Sequence, residues 1–130
     1  GFSDGVRGDE LAIHSGQSTF LLRVRFASDP TLPCPSLAVG FDHINGTLVS
    51  SAGSVNDGFN VSRDESGAGS VELVFEKLPL LKGDYQVKVF LLCERGLHIY
   101  QAHERAITLR VVQSDLAQGL VNMPHRWVAA

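Results

Sequence analysis

Apolar side chains in this chain recur at every second position, segment after segment, with no sustained helical spacing. From Thr19 to Ala27, Phe20, Leu22, Val24 and Phe26 fall on one face and Leu21, Arg23 and Arg25 on the other. Tyr85, Val87, Val89, Leu91 and Cys93 repeat the pattern, with Phe90 and Leu92 making the opposite face partly apolar. Ile107, Leu109 and Val111 alternate with Thr108 and Arg110, and shorter sets occur at Leu37–Phe41 and Val71–Phe75. Leu11 and Ile13, with Val6 before them, predict a first edge strand ending at Ser15-Gly16. A period of two buries one face and leaves the other outside, so these segments must pair into sheets.

Turn chemistry separates the strands. Three prolines between Asp29 and Pro35 remove donors and fix φ, which predicts a crossover between sheets. Asn45-Gly46 predicts a hairpin returning through Thr47 to Ser51, and Lys82-Gly83-Asp84 predicts a tight turn. Ala52 to Gly69 is rich in Gly, Ser, Asn and Asp and reads as a long loop. The segment from Arg95 to Arg105 reads as a decorated loop, and Gln113 to Gly119 as a linker. Seven or eight short strands without a helix predict an antiparallel β-sandwich of immunoglobulin-like or jelly-roll topology. At 130 residues the chain fits a single domain spanning residues 1–130.

Composition narrows function by exclusion. Fourteen acidic against eleven basic residues give a net charge of -3, with no block of like charge, so nucleic acid is not an expected partner. No apolar run reaches the ~18 residues of a membrane span, and Gly1 to Glu10 has no signal-peptide core. The chain opens on Gly1 rather than Met, so a fragment or processed product is expected. Cys34 and Cys93 are too few for a disulfide framework and read as buried thiols. No Walker A loop, dinucleotide fingerprint or nucleophile elbow is expected. His98 and His103 are five apart outside a helix, and His14, His43 and His125 are scattered, so no metal or other cofactor is expected. Glu94, Glu104 and Asp84 read as surface acids rather than as a hydrolytic carboxylate pair.

Binding fits these residues better than catalysis. His98, Tyr100 and His103 offer flat rings, while Gln101, Glu104 and Arg105 offer directional hydrogen bonds. A sugar presents apolar C–H faces and hydroxyl edges, and such a mixture suits both. Arg23, Arg25, Lys88 and Phe90, pointing away from the predicted core, extend the surface if their strands are neighbours. The plain alternative for any one of these residues is a solvated face beside a hydrogen-bonded loop. At the C-terminus, Leu120 to Ala130 holds the only Trp and the only Met, and burying Trp127 would contribute several kcal/mol, on the order of its apolar area.

Three stretches together resemble the C-terminal domain of Wzt proteins. They are Leu78 to Val89, Gly96 to Ala106 with the Ile107–Val111 strand, and Gly119 to Trp127. Val24 to Phe26, and Val39 to Phe41 with the Asn45-Gly46 turn, fit the same order. Wzt is the nucleotide-binding subunit of ABC transporters that export O-antigen polysaccharides across the bacterial inner membrane. The resemblance implies an immunoglobulin-like sandwich at the cytoplasmic face of that membrane. It implies binding of the exported glycan, often at its modified non-reducing end, and no catalysis, because the ATPase half is absent. The transmembrane subunit would be reached through that ATPase half. It also implies a homodimer that exchanges a C-terminal strand, with residues 113–130 as linker and dimerisation strand and Val121, Met123 and Trp127 at the interface. The competing readings are a structural or protein-interaction sandwich without glycan binding, and a lectin-like or hydrolytic extracellular module.

Overall fold

The computed structural model describes residues Gly1–Ala130 and contains strands but no helix. Two of the strands, β1 (Phe2–Ser3) and β2 (Val6–Arg7), form a small hairpin. With β4 (Phe20–Ala27) and β7 (Ala68–Phe75) they make a four-stranded sheet ordered β2-β1-β4-β7. The other sheet joins β3 (Glu10–His14), β9 (Ile99–Val112), β8 (Gly83–Leu92), β5 (Ser36–His43) and β6 (Leu48–Gly53), in the order β3-β9-β8-β5-β6. All pairings are antiparallel except β3 with β9, which run parallel. The five-stranded sheet is therefore mixed, because β3 enters it after a crossover from the first sheet rather than through a hairpin.

The alternation of the sequence becomes the core. Phe20 and Leu22 of one sheet meet Val39, Phe41, Tyr85, Val87, Ile107, Leu109 and Val111 of the other, all buried. Phe20 stacks on Phe75 at 5.9 Å between centroids, and Phe41 meets Phe75 edge-on at 5.1 Å. Leu78, Leu80 and Leu81, in the connection before β8, plug the lower end. Tyr85 is fully buried there, and its hydroxyl donates to the carbonyls of Leu81 at 2.7 Å and Leu120 at 3.3 Å. A tyrosine at the start of a strand bonding back to the preceding backbone is the tyrosine corner of immunoglobulin-like sandwiches.

The expected crossover and the Asn45-Gly46 hairpin are present, but Lys82-Gly83-Asp84 is not a tight turn, because Gly83 and Asp84 already pair with Val111 and Arg110 as the first residues of β8. The proline-rich segment carries the chain from β4 to β5, that is, from one sheet to the other. Arg63 pins this crossover to the long loop, donating to Ser28 Oγ at 3.0 Å and to the Asp29 carbonyl at 2.9 Å. At the β5–β6 hairpin the Gly46 amide donates to the His43 carbonyl at 2.8 Å and Gly46 takes φ +92°. Another expectation needs correcting. Most of the predicted loop at Arg95 to Arg105 is strand, because β9 begins at Ile99 and only Cys93 to His98 turn the chain. Exposed residues on both faces hid the strand from a reading based on alternating burial: every side chain from Ile99 to Arg105 is exposed.

Gly67 separates two glycine roles. It takes φ +93°, and a Cβ built there would lie 1.9 Å from the Ser28 carbonyl oxygen, whereas Gly46 has nothing within 4 Å. Gly46→Ala should cost about 1 kcal/mol of backbone strain, and Gly67→Ala distinctly more, about 2–4 kcal/mol, because β4 and β7 must also separate. Urea midpoints of the two variants check this, and equal losses would show that Ser28 yields freely.

Candidate functional cleft

The two sheets are not closed along one side. β1 reaches β4 only at the Phe2–Leu21 pair, so β4 has no neighbour on that side beyond Leu21. On the facing sheet, β3 covers β9 only from Thr108 to Val112, which leaves Ile99 to Ile107 uncovered. The N-terminal strands close the lower half as they cross between sheets, and the upper half gapes. The result is a cleft of about 550 Å³ between the free edges of β4 and β9.

Its walls come from both sheets. Leu22, Val24 and Phe26 face Leu37, Val89, Leu91, Ala106 and Ile107 across it. Its polar lining is Arg7, Asp9, Arg23, Arg25, Gln101 and His103. Gln101 and His103 reach it because they stand opposite Leu91 and Val89, the inward-facing residues of β8. A register irregularity between the Val87–Ile107 and Val89–His103 pairs sets their positions: four residue steps on β9 answer two on β8. Such a bulge bends its strand and re-aims side chains.

A second hollow of about 550 Å³ adjoins the cleft on the outer face of the four-stranded sheet, lined by Phe2, Arg7, Leu21, Arg23, Arg25 and Glu72 among others. There Arg23 is held by Glu72, its cross-strand partner on β7, through a 2.8 Å bond from Nε to Oε1.

Of the residues singled out from sequence, His103 lies in the cleft, and Arg23 and Arg25, which alternate with the inward Leu22, Val24 and Phe26, stand at its rim where it meets the outer hollow. Lys88 and Phe90 do not join them. Their strand lies in the other sheet, with β4 no neighbour of β8, and they alternate with the buried Val87 and the inward Val89, so they point outward. Lys88 Nζ is bound to Asp42 at 3.1 Å and lies 5.8 Å from the Phe90 ring centroid. Tyr100 and the bulge residues Glu104 and Arg105 are exposed on β9 outside the cleft lining. His98 stays in the turn, where its amide, with that of Leu97, donates to Cys93 Sγ at 3.3 and 3.4 Å. Those two amides pull the Cys93 thiol pKa below its ordinary value, and the thiol, buried at 5 % exposure, organises the turn. The other cysteine, Cys34, is half-buried and not fully covered as expected.

Arg7 and Asp9 were not legible as site residues. Nothing in a Gly- and Asp-rich opening segment signals a cleft, and only the crossing of β1 and β2 to β3 brings them there. The opening segment also has the G-x-S-x-G spacing, at Gly1-Phe2-Ser3-Asp4-Gly5, which corrects the expectation that it is missing. Ser3 is 1 % exposed and donates to the Thr19 carbonyl at 2.9 Å, in a strand–turn–strand rather than a strand–turn–helix. It is a structural serine.

The C-terminal segment splits in two. Leu80 and Val121 form an antiparallel bridge, flanked by bonds from Leu81 N to Leu120 O and from Asn122 N to Pro79 O, each 2.9 Å. Beyond it Met123, Trp127 and Val128 are exposed, Trp127 at 94 %.

Comparison with known proteins places this architecture. The family model for the Wzt C-terminal domain matches residues 2–123. The fold is similar to that in the crystal structure of the C-terminal domain of Wzt, with a TM-score of 0.74. That alignment covers 92% of this chain and 74% of the other, at 16% sequence identity. No curated protein matches the sequence.

Proposed function

Because the chain belongs to the Wzt C-terminal domain family, we propose that it is a non-catalytic module that recognises an O-antigen polysaccharide for export by an ABC transporter. In this reading the module holds the finished chain, through its non-reducing end, at the cytoplasmic face of the inner membrane. An ATPase domain joins it to the transmembrane subunit, and two copies act as a dimer.

The observation that carries the reading is the open cleft between the sheets. Both walls are apolar, with Val24 and Phe26 facing Leu91, and Arg23, Arg25, Gln101 and His103 supply polar groups around them. A pyranose needs both, a surface for its C–H face and fixed partners for its hydroxyls. Asp9 is the one carboxylate of the lining, whereas glycoside hydrolysis uses an opposed pair. An open-ended cleft also admits a chain, not only a monosaccharide.

Titration of the 130-residue chain with an oligosaccharide cut from the exported polysaccharide, followed by amide NMR shifts, tests this. Shifts should cluster at Val24 to Ala27 and Gln101 to Ile107. Gln101→Ala and His103→Ala should each weaken binding about 5- to 10-fold, the loss of about one hydrogen bond. No saturable binding, or shifts confined to the outer faces, would reject the cleft. Tyr100→Ala and Arg105→Ala define its limits: weakened binding would extend the site along β9, and unchanged binding would confine it to the cleft.

A protein-interaction role has one specific observation in its favour, the exposed apolar tail at Met123, Trp127 and Val128. That surface suits a second copy of the chain and is compatible with glycan binding elsewhere.

A further inference from the structure

The cleft carries a charge pattern that a neutral sugar does not require. Arg7, Arg23 and Arg25 line both the cleft and the adjoining outer hollow. The chain has two ion pairs, Arg23 with Glu72 and Lys88 with Asp42. Arg7 and Arg25 therefore have no carboxylate within ion-pair distance. The Arg7 guanidinium lies 5.8 Å from the Phe2 ring centroid, a contact that orients the group without neutralising it. Three arginines against Asp9 and Glu72 leave the two hollows at +1, in a chain of net charge -3, so the remainder carries -4. Positive charge is concentrated at the one place where the sandwich is open.

Guanidinium groups without partners at a shared opening repel each other and keep their planar donor forks free. A carboxylate or phosphate meets both conditions. It neutralises the repulsion and accepts two parallel N–H bonds from a single fork. The low-dielectric wall of Leu22, Val24 and Phe26 reduces solvent screening on one side. Gln101 and His103 on the opposite edge remain for hydroxyls of the same residue.

Resting on the glycan-binding reading, we propose that this cleft selects a negatively charged saccharide residue, bearing a carboxylate or a phosphate, with Arg7 and Arg25 as the discriminating groups. Arg23, tied to Glu72, positions the site's rim and contributes less. Selectivity then comes from charge pairing, and the affinity falls as salt rises.

The test uses matched oligosaccharides of equal length: neutral, uronate-bearing and phosphate-bearing, with inorganic phosphate alone as a control. Binding to the 130-residue chain is measured by calorimetry at low and high salt. At least one acidic saccharide should bind 10-fold or more tighter than its neutral counterpart, and which one does identifies the anion. The doubly substituted Arg7→Ala/Arg25→Ala chain should lose that difference, its affinity for the acidic saccharide falling to that for the neutral one. Arg25→Lys, which keeps the charge but not the fork, should retain part of it. Neutral binding as tight as acidic, or acidic binding untouched by the double substitution, overturns the charge selection and leaves glycan recognition standing. Inorganic phosphate binding as tightly as the phosphosaccharide reduces the site to an anion site and overturns the saccharide assignment. No binding of any saccharide rejects both readings.

Discussion

Tyr85→Ala should lower the unfolding free energy by about 3–5 kcal/mol, the range for truncating a large buried aromatic. Tyr85 is fully buried, meets His43 edge-on at 5.3 Å and closes the lower core beside Leu78, Leu80 and Leu81. Its hydroxyl joins the turn before β8 to the first residues of the C-terminal segment, through Leu81 O and Leu120 O. Tyr85→Phe isolates that link. It keeps the ring and leaves a buried carbonyl short of a donor, so it should cost about 1–3 kcal/mol. Chemical denaturation of both variants gives the two numbers, and a phenylalanine as stable as tyrosine would show that the corner is packing alone.

The same residue sets a pH limit. Burial raises the Tyr85 pKa above its ordinary value of 10.0. In the unfolded chain the phenol ionises first, so the contribution is intact below pH 10 and is lost as pH climbs past it toward the folded value. The Tyr85→Phe chain lacks this component and should lose less stability as the pH rises above 10.

Deleting residues 123–130 should abolish the proposed dimer while leaving the sandwich folded. Met123, Trp127 and Val128 are exposed, so the core gives up nothing when they are removed. A partner chain that covers Trp127 gains about 25 cal/mol per Å² of apolar surface. At ~3 kcal/mol for each of two symmetry-related tryptophans, Trp127→Ala should weaken the dimer on the order of 10⁴-fold. Sedimentation of the full and shortened chains reads this directly. A shortened chain that still dimerises would move the interface elsewhere. Removing residues 119–130 is a different experiment, because it also takes away the Leu80–Val121 bridge and the Leu120 acceptor. That deletion should destabilise the fold as well.

How much of this was written in the sequence varies by level. Leu22, Val39, Tyr85 and Leu109 could be assigned to the core because a period of two has one physical outcome, a face that must be covered. The crossover at Asp29 to Pro35 and the Asn45-Gly46 hairpin were legible because proline fixes φ and glycine admits the positive φ that a tight hairpin turn needs. Family membership was legible in the order of several modest motifs, even though identity to the solved Wzt domain is 16%.

The site was not legible in the same way. Arg23 and Arg25 could be placed on an outward face, but not beside His103, which lies on a strand of the other sheet. Lys88 and Phe90 looked equivalent to them and lie on a different surface, because side-chain alternation gives a face without saying which sheet the face belongs to. Arg7 and Asp9 enter only because β3 crosses over and pairs parallel with β9, stopping short of its first half. The β9 bulge adds residues that no local pattern announces.

Local periodicity and turn chemistry thus determined the strands, the core and the sandwich, since those follow from interactions between near neighbours in the chain. The cleft was decided by where strands stop covering one another. That is a property of long-range pairing, and it exists only once residues about 80 positions apart have met.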